Sequence, residues 1–571
     1  MNSTPEQCKK RDMAKITIDG QAFEVADGRT IIEAARDNGI EIPHFCWHPK
    51  LSVSGNCRMC LVEVEKLPKL VIACSTKVMD GMVVGTKTPR VLHAREAVME
   101  FLLINHPLDC PICDEAGECK LQDYAYAHST GRSRFDEDKV HKPKHVPLGP
   151  NVMLDTERCI MCSRCIRFCD EIAHTPQLTF IQRGDRVELT TFPGEQLDNP
   201  YAMNTIDICP VGALTSREFR FKARVWEMSA TETVCPGCAR GCNMYTWVRN
   251  NEILRQTPRY NPDVNEYWMC DRGRLETSRC VNAETRIKTP LMKKDGEFVE
   301  VGWDEGIARA ASEFRVYRKG EVAVLGSAFA TNEDNYLLLK FARDVLNTRH
   351  LVVLPHTEEG DQDDILLRAD KTPNARGVVE IGFGEGSARA AFEGILQKIH
   401  AGDIKALFVL HDNIASDPDV AAALGRLDFL AVLASNENET TRAADLVLPW
   451  STYAERNGTF TNFQGRVQRI RPAVATLEHD RSLDGFAMSR LDKFGTSFDS
   501  WARSGKRDAR PAWRVIAGVA SLMGAKYKYN TAEGVFNELA ATVEAYRGMT
   551  YRKIGSRGLP VRVPRTAAAR T

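Results

Sequence analysis

The sequence predicts a multidomain protein of mixed class, α+β in its first half and α/β in its second. Three observations carry that reading. Of 18 cysteines in 571 residues, 17 lie between Cys46 and Cys280, and the 291 residues after Cys280 hold none. The N-terminal stretch opens with a hairpin pattern followed by an amphipathic helix pattern. From about Arg286 onward, short apolar runs alternate with helical or loop stretches, as in buried parallel strands. A chain of this length exceeds one core, so about three to five domains are expected. The 76 basic and 76 acidic side chains balance, which argues against nucleic acid or a membrane surface as the main partner. No apolar run reaches the eighteen or so residues of a bilayer span. The opening MNSTPEQCKKRDMAK lacks the apolar core of a secretory signal. Thiols in such a chain are expected to stay reduced, and clustered cysteines then read as metal ligands rather than disulfides.

In the head, Lys15 to Ile18 alternates polar and apolar residues, Asp19-Gly20 is a tight-turn dipeptide, and Gln21 to Val25 returns. Thr30 to Asn38 reads as a helix that buries Ile31, Ile32, Ala34 and Ala35 and stops at Gly39. Cys46, Cys57, Cys60 and Cys74 follow in a C-x10-C-x2-C-x13-C spacing, the last on an expected strand over Leu70 to Ser75. Such a loop can wrap a [2Fe–2S] cluster with N–H groups facing the sulfurs. Its first gap is longer than the plant-type C-x4-C-x2-C. Zinc also uses CxxC pairs, but the hairpin and helix favour the iron–sulfur reading.

Arg95 to Ile104 reads as a helix with Ala97, Val98, Phe101 and Leu102 on one side. Then NHPLDCPICDEAGEC places His106, Cys110, Cys113 and Cys119 as H-x3-C-x2-C-x5-C, with Pro107 and Pro111 stiffening the loop. A lone histidine is usually structural, but this one precedes a three-cysteine loop that lacks a fourth ligand. Three thiolates and a neutral imidazole leave a [4Fe–4S] cluster one unit less negative than four thiolates, and histidine ligation raises potentials in other centres.

RCIMCSRCIRFC supplies Cys159, Cys162, Cys165 and Cys169, and DICPVGALT supplies Cys209 directly before Pro210. In bacterial ferredoxins the cysteine before a proline serves a different cluster from the local C-x2-C-x2-C run. Because Asp170, not proline, follows Cys169, the assignment is Cys159, Cys162, Cys165 and Cys209 to one [4Fe–4S] cluster. Cys169 is then a buried helix residue, with service to another centre as the open alternative. VCPGCARGC and WMCDRGR give Cys235, Cys238, Cys242 and Cys270 in a C-x2-C-x3-C-x27-C spacing, fitting a [4Fe–4S] cluster or, on spacing alone, zinc. Pro236, Gly237 and Gly241 permit its tight backbone. Cys8 and Cys280 read as ordinary thiols.

In the cysteine-free half, Val322 to Leu325, Leu351 to Leu354, Ala406 to Leu410, Phe429 to Leu433 and Leu446 to Leu448 are the expected strands. GFGEG at Gly382 to Gly386, after the run Val378 to Ile381, falls short of a G-x-G-x-x-G fingerprint and only weakly suggests a nucleotide site. YAERNGTFTNFQGRVQ, from Tyr453 to Gln468, reads as a polar loop shaped around something bulky, or as a packed structural loop. After Glu544 the tail carries seven basic residues and no acidic ones, and is expected to be extended, either disordered or laid along a partner.

This order of motifs resembles the family of the large iron–sulfur subunit, the G subunit, of NADH:quinone oxidoreductase, bacterial respiratory complex I. The likeness is specific from Cys46 to Cys270, where all 16 expected ligands occur in order. Later it rests mainly on ADLVLPWSTYAERNGTFTNFQGRVQ. The resemblance implies a β-grasp [2Fe–2S] ferredoxin-like domain at 13–90 and a histidine-plus-three-cysteine [4Fe–4S] segment at 91–130. A ferredoxin-like [4Fe–4S] domain at 150–225 and a [4Fe–4S] module of molybdopterin-oxidoreductase type at 228–285 follow. A molybdopterin-oxidoreductase-like α/β domain at 286–545, shortened and without molybdenum, precedes a basic tail at 546–571. It further implies one [2Fe–2S] and three [4Fe–4S] clusters in a relay. Electrons would arrive from a flavin-bearing, NADH-oxidising subunit and cross the Cys46, Cys159 and His106 sites in that order. They would leave towards quinone-side iron–sulfur subunits, with the fourth cluster off the path. No NADH or quinone site, catalytic residue or nucleic-acid partner is expected on this chain. It would sit on the cytoplasmic side of the bacterial inner membrane, touching the membrane only through the complex. The alternative is a molybdenum-dependent formate-dehydrogenase-like subunit, disfavoured because no cysteine follows Cys280. An iron-only hydrogenase would need further cysteines, and a colourless zinc scaffold is disfavoured by the Cys159–Cys165 spacing and Cys209-Pro210.

Overall fold

A computed structural model describes residues 13–383, 387–478, 487–490 and 507–562. The chain divides into two compact units, Met1–Val225 and Trp226–Thr571.

The first unit begins with strands Met13–Ile18 and Gln21–Ala26, antiparallel about a turn at Asp19 (φ 47°) and Gly20 (φ 83°). Two positive φ angles in succession are what a two-residue hairpin of this hand requires, and Asp-Gly adopts them at low cost. The helix Ile31–Asp37 is capped by Thr30, whose side chain accepts from Glu33 N while Glu33 returns to the Thr30 N–H. A reciprocal cap of this kind stabilises a short helix by about 1 kcal/mol. The sheet order is Gln21–Ala26, Met13–Ile18, Val83–Gly85, Leu61–Val64, Val71–Ile72, with Met13–Ile18 and Val83–Gly85 parallel at its centre. Ile16, Ile18, Ile31, Ala34, Val62 and Val84 close one core between sheet and helix. The strand expected over Leu70 to Ser75 is only Val71–Ile72, and Cys74 sits in the turn after it.

The next helix runs Pro89–Leu103, starting six residues before the expected Arg95. Thr88 caps it and Pro89 occupies its first turn, where a missing N–H costs nothing. Its buried stripe is Val91, Arg95 and Met99, not Ala97, Val98, Phe101 and Leu102; Phe101 is 78% exposed. Arg95 turns inward because Nη2 donates to Leu61 O at 3.1 Å, a contact that hydrophobic patterning cannot anticipate.

The second unit opens with a three-stranded meander, Ser229–Val234, Asn243–Arg249 and Glu252–Pro258, which the sequence reading missed. Its main sheet has seven strands. Leu446–Pro449, Phe429–Ala434, Ala406–Leu410, Val322–Gly326 and Leu351–Val353 are parallel neighbours in that order, and the hairpin Leu291–Lys294/Glu297–Glu300 extends the first edge. All five expected strands are present. Alternate residues feed two cores: Val322, Val324, Phe408 and Ala431 one side, Ala323, Leu325, Leu407 and Val432 the other. Helices cover both faces, so the strands read as continuous apolar runs.

Val378–Ile381 is the end of a helix, Ala375–Ile381, closed by Gly382 at φ 103°. No strand therefore leads into the glycines, and residues 384–386 of GFGEG lie outside the described residues. Tyr453 to Gln468 is mostly buried and is a packed mixture of turns and strands rather than an open loop. It holds the paired strands Gly458–Thr461 and Arg466–Ile470, and Tyr453, Phe460 and Val467 are buried. Polar residues occur there because they bond partners elsewhere in the unit, Thr459 to Glu333, Glu455 to Arg286 and Gln468 to Gly241 O. The tail is packed to residue 562: Tyr546, Tyr551 and Ile554 are buried, and Leu559–Pro560 pairs with Arg466–Val467. Residues 563–571 and Cys8 lie outside the described residues.

Among the described residues no helix is long and apolar enough to cross a membrane.

Candidate metal centres

The Cys46 site pairs its thiols two by two. Cys46 and Cys57 hydrogen-bond through sulfur, holding Cys46 down at about 5 and pushing Cys57 up. Cys60 and Cys74 form the second pair, again one lowered and one raised. Two thiol pairs are the donor set that a two-iron rhomb requires, one pair per iron. Cys46, Cys60 and Cys74 are buried, and Cys46 N–H donates to Cys57 Sγ at 3.4 Å.

Cys159, Cys162, Cys165 and Cys209 line one small cavity, walled by Phe180, Leu189, Val211 and Leu214. Met161 (φ 53°) and Ser163 (φ 60°) are left-handed in the intervening loop. Non-glycine residues hold that conformation only under constraint, and here it wraps the chain around the cavity. Burial pushes the Cys159 thiol up to about 12 and the Cys162, Cys165 and Cys209 thiols up as well. Four thiolates crowded in an apolar wall are costly alone, so the donor set fits a cationic iron core that offsets their charge. Cys169 is buried on helix Arg164–Glu171 and does not line the cavity.

In the third group, Cys110 starts the short turn Cys110–Ile112 and is exposed, Cys113 is buried, and Cys119 caps helix Lys120–His128. His106 and Cys113 both feel the Arg158 guanidinium. Burial, then the cations Arg158 and Lys139, hold His106 down at about 4, so it is a neutral imidazole at neutral pH, the form that ligates metal.

In the second unit, Cys235, Cys238, Cys242 and Cys270 line a small cavity with Met269, Leu366, Leu367 and Lys371. Gly237 N donates to Cys235 Sγ at 3.4 Å and Gly273 N to Cys270 Sγ at 3.3 Å. A Cβ at Gly273 would approach Cys235 Sγ to 3.0 Å, so glycine lets the backbone reach the sulfurs. Among the described residues no three His, Cys, Asp or Glu side chains converge as a single metal ion would need. At the Cys159 and Cys235 sites the sulfurs ring a cavity, a geometry suited to a multinuclear core.

Within the first unit the three sites are stitched together by residues that the sequence reading passed over. Arg164 Nη2 donates to Trp47 O at 2.6 Å and Nη1 to Ile208 O at 3.0 Å. Arg167 Nη2 reaches both Cys46 O (2.6 Å) and Cys162 O (3.2 Å), and Asn56 Nδ2 donates to Met161 O at 2.9 Å. These bonds join the Cys46 and Cys159 loops. On the other side, Lys120 N donates to Pro210 O at 3.1 Å, and Cys119 Sγ lies 3.9 Å from the same oxygen. A Cβ at Gly212 would land on Cys113 Sγ, so the Cys209–Gly212 turn lies directly against the His106 group. The visible signal was the basic residues interleaved in RCIMCSRCIRFC.

Family models match in the same order. They are a 2Fe-2S iron-sulfur cluster binding domain (11–89), the NADH-ubiquinone oxidoreductase-G iron-sulfur binding region (95–134), and the ferredoxin-like domain of NADH-quinone oxidoreductase subunit 3 (149–215). The molybdopterin oxidoreductase Fe4S4 domain (228–282) and molybdopterin oxidoreductase (382–482) follow. The NADH-quinone oxidoreductase G subunit of Rickettsia bellii is 42% identical over 333 residues, 58% of this chain and 48% of that protein. The Streptomyces coelicolor G subunit is 40% identical over 62% of this chain and 42% of its own length. The NADH-ubiquinone oxidoreductase 75 kDa subunit of Reclinomonas americana is 40% identical over 63% and 52% respectively. A chain of the crystal structure of an NAD+-reducing [NiFe]-hydrogenase aligns at 30% identity with a TM-score of 0.34, covering 37% of this chain and 91% of that one. This chain spans about half the length of the curated relatives it matches. Its 2Fe–2S, 4Fe–4S and molybdopterin-type domains, and its identity to these proteins over three-fifths of its length, make it a homologue of the NADH-quinone oxidoreductase G subunit.

Proposed function

We propose that this chain is an iron–sulfur electron-relay subunit in the peripheral arm of a proton-pumping NADH:quinone oxidoreductase, on the cytoplasmic side of a bacterial inner membrane. It receives electrons from a flavin-bearing, NADH-oxidising subunit and passes them towards quinone-reducing iron–sulfur subunits. The observation that carries the reading is the stitching of the Cys46, Cys159 and His106 groups in that spatial order by Arg164, Arg167 and the Cys209–Gly212 turn. Cys46, Cys57, Cys60 and Cys74 would hold a [2Fe–2S] cluster. His106, Cys110, Cys113 and Cys119 would hold a [4Fe–4S] cluster, as would Cys159, Cys162, Cys165 and Cys209, and Cys235, Cys238, Cys242 and Cys270. When bound, such clusters accept and donate single electrons with potentials set by ligand type, net charge and hydrogen bonds. The protein's work is to keep the sites close, to exclude water with apolar walls, and to aim N–H groups at sulfur. The fourth site has its own unit and is read as structural, off the path.

Metal analysis and low-temperature EPR of anaerobically purified, dithionite-reduced protein test the proposal. About 14 iron atoms per chain and no molybdenum are expected from one two-iron and three four-iron clusters. The match of 382–482 to molybdopterin oxidoreductases keeps a second reading alive. Stoichiometric molybdenum would make the second unit catalytic, as in a formate dehydrogenase, and would sink the scaffold reading of that domain.

A further inference from the structure

The segment from Arg158 to Arg167 lays arginines between neighbouring sites of the first unit, Arg158 beside the His106 site and Arg164 and Arg167 between the Cys46 and Cys159 loops. Arg158 and Arg164 are partnered in opposite ways. Arg158, 4% exposed, is answered by carboxylates: Nη2 donates to Asp109 at 3.0 Å and Nε lies 3.3 Å from Asp155. Arg164 is not. Among the described residues no carboxylate pairs with it; its Nη atoms donate only to the Ile208 and Trp47 carbonyls, and its Nε is buried without an acceptor. Those two carbonyls belong to the residues next to Cys209 and Cys46, so the guanidinium is held between one ligand loop of each site. A half-buried cation held between two cysteine sites, with no carboxylate of its own, is costly unless those sites are anionic.

We infer that Arg164 is a positioning residue serving as the shared counter-charge of the Cys46 and Cys159 sites, raising the reduction potential of both. The inference rests on the cluster assignment proposed above. One electron leaves the Cys46 site as one arrives at the Cys159 site, so the negative charge around Arg164 is the same before and after. A cation between the two therefore eases entry of the electron into the pair while leaving the transfer itself nearly level. Arg158, paired with Asp109 and Asp155, is the cation beside the His106 site, so substituting Arg164 leaves that site outside this effect.

The test is an EPR-monitored redox titration of the full chain, purified anaerobically, comparing wild type with Arg164→Gln and Arg164→Lys. Arg164→Gln is expected to lower the reduction constants of the Cys46 and Cys159 sites together by about tenfold, about 59 mV for a one-electron couple. The His106 site keeps its midpoint. Arg164→Lys, which retains the charge but not the fork, is expected to stay near wild type. Unmoved midpoints in the glutamine variant, or an equal fall at all three sites, would overturn the inference. If Arg164→Gln fails to load clusters, Arg164→Met decides: a tenfold fall at the Cys46 and Cys159 sites supports the inference, and unmoved midpoints overturn it. Wild-type protein without these EPR signals would instead overturn the cluster assignment, and this inference with it.

Discussion

At the scale of single residues, the first unit is sensitive at places where nothing ionisable sits. Gly212 is the sharpest case, because a Cβ there would land on Cys113 Sγ and reach Glu115 Cβ at 3.0 Å. Gly212→Ala is expected to abolish the EPR signal of the His106 site and cut bound iron, while the Cys46 signal persists. His106 gives a second prediction from the neutral imidazole argued above. His106→Cys adds one negative charge to the ligand set, so a redox titration should find that site's potential lowered and quinone reduction slowed; an unchanged potential would count against His106 as a ligand. Sequence spacing was enough to nominate the sixteen ligands. It passed over Gly212, Arg164 and Arg167, because their roles depend on segments about 100 residues away along the chain.

At the scale of elements, the motif from Thr331 to Asn335 shows how a helix start can be polar and fully interior. Helix Asn332–Asp344 begins with a Thr331/Asp334 capping box, and Glu333 behind it accepts from Thr459 N at 2.8 Å and Tyr551 Oη at 2.9 Å. Burial outweighs these donors and pushes Glu333 up to about 7. Its folded value lies above the ordinary carboxylate range, so its contribution is complete below about 4.5 and is lost as pH rises to 7. Glu333→Gln should therefore flatten the loss of stability between pH 5 and 8, by on the order of 3 kcal/mol, in denaturant titrations at the two ends. The Arg286–Glu455 pair joins other elements: Nη1 and Nη2 meet the two carboxylate oxygens at 3.1 and 2.7 Å, with both side chains at 0% exposure. Glu455→Ala strands a buried guanidinium and should cost about 3–5 kcal/mol, seen as a lower Tm of the second unit. Strand runs such as Phe429–Ala434 were legible because both faces are buried. The Gly458–Ile470 hairpin was not, since buried polar residues whose partners lie far along the chain look like a loop.

At the scale of the whole molecule, the chain holds two compact units with separate cores. Separate cores predict separate cooperative transitions. Calorimetry should resolve two unfolding steps, and Glu455→Ala should move only the one belonging to Trp226–Thr571. A single step shifted as a whole would mean that the units unfold together.

Local chemistry was legible in the linear order. Ligand type and short spacings nominated four candidate metal sites, because CxxC turns and the Cys209-Pro210 step are made by neighbouring residues. The Asp19-Gly20 hairpin and the five apolar strands were determined the same way, by turn preference and by runs buried on both faces. Only the tertiary structure decided which carbonyls Arg164 and Arg167 span, that Arg95 turns inward, and that Tyr453 to Gln468 is interior. Each of those depends on a partner brought close by folding, and the free energy of a buried charge or polar group is set by that partner rather than by its own sequence.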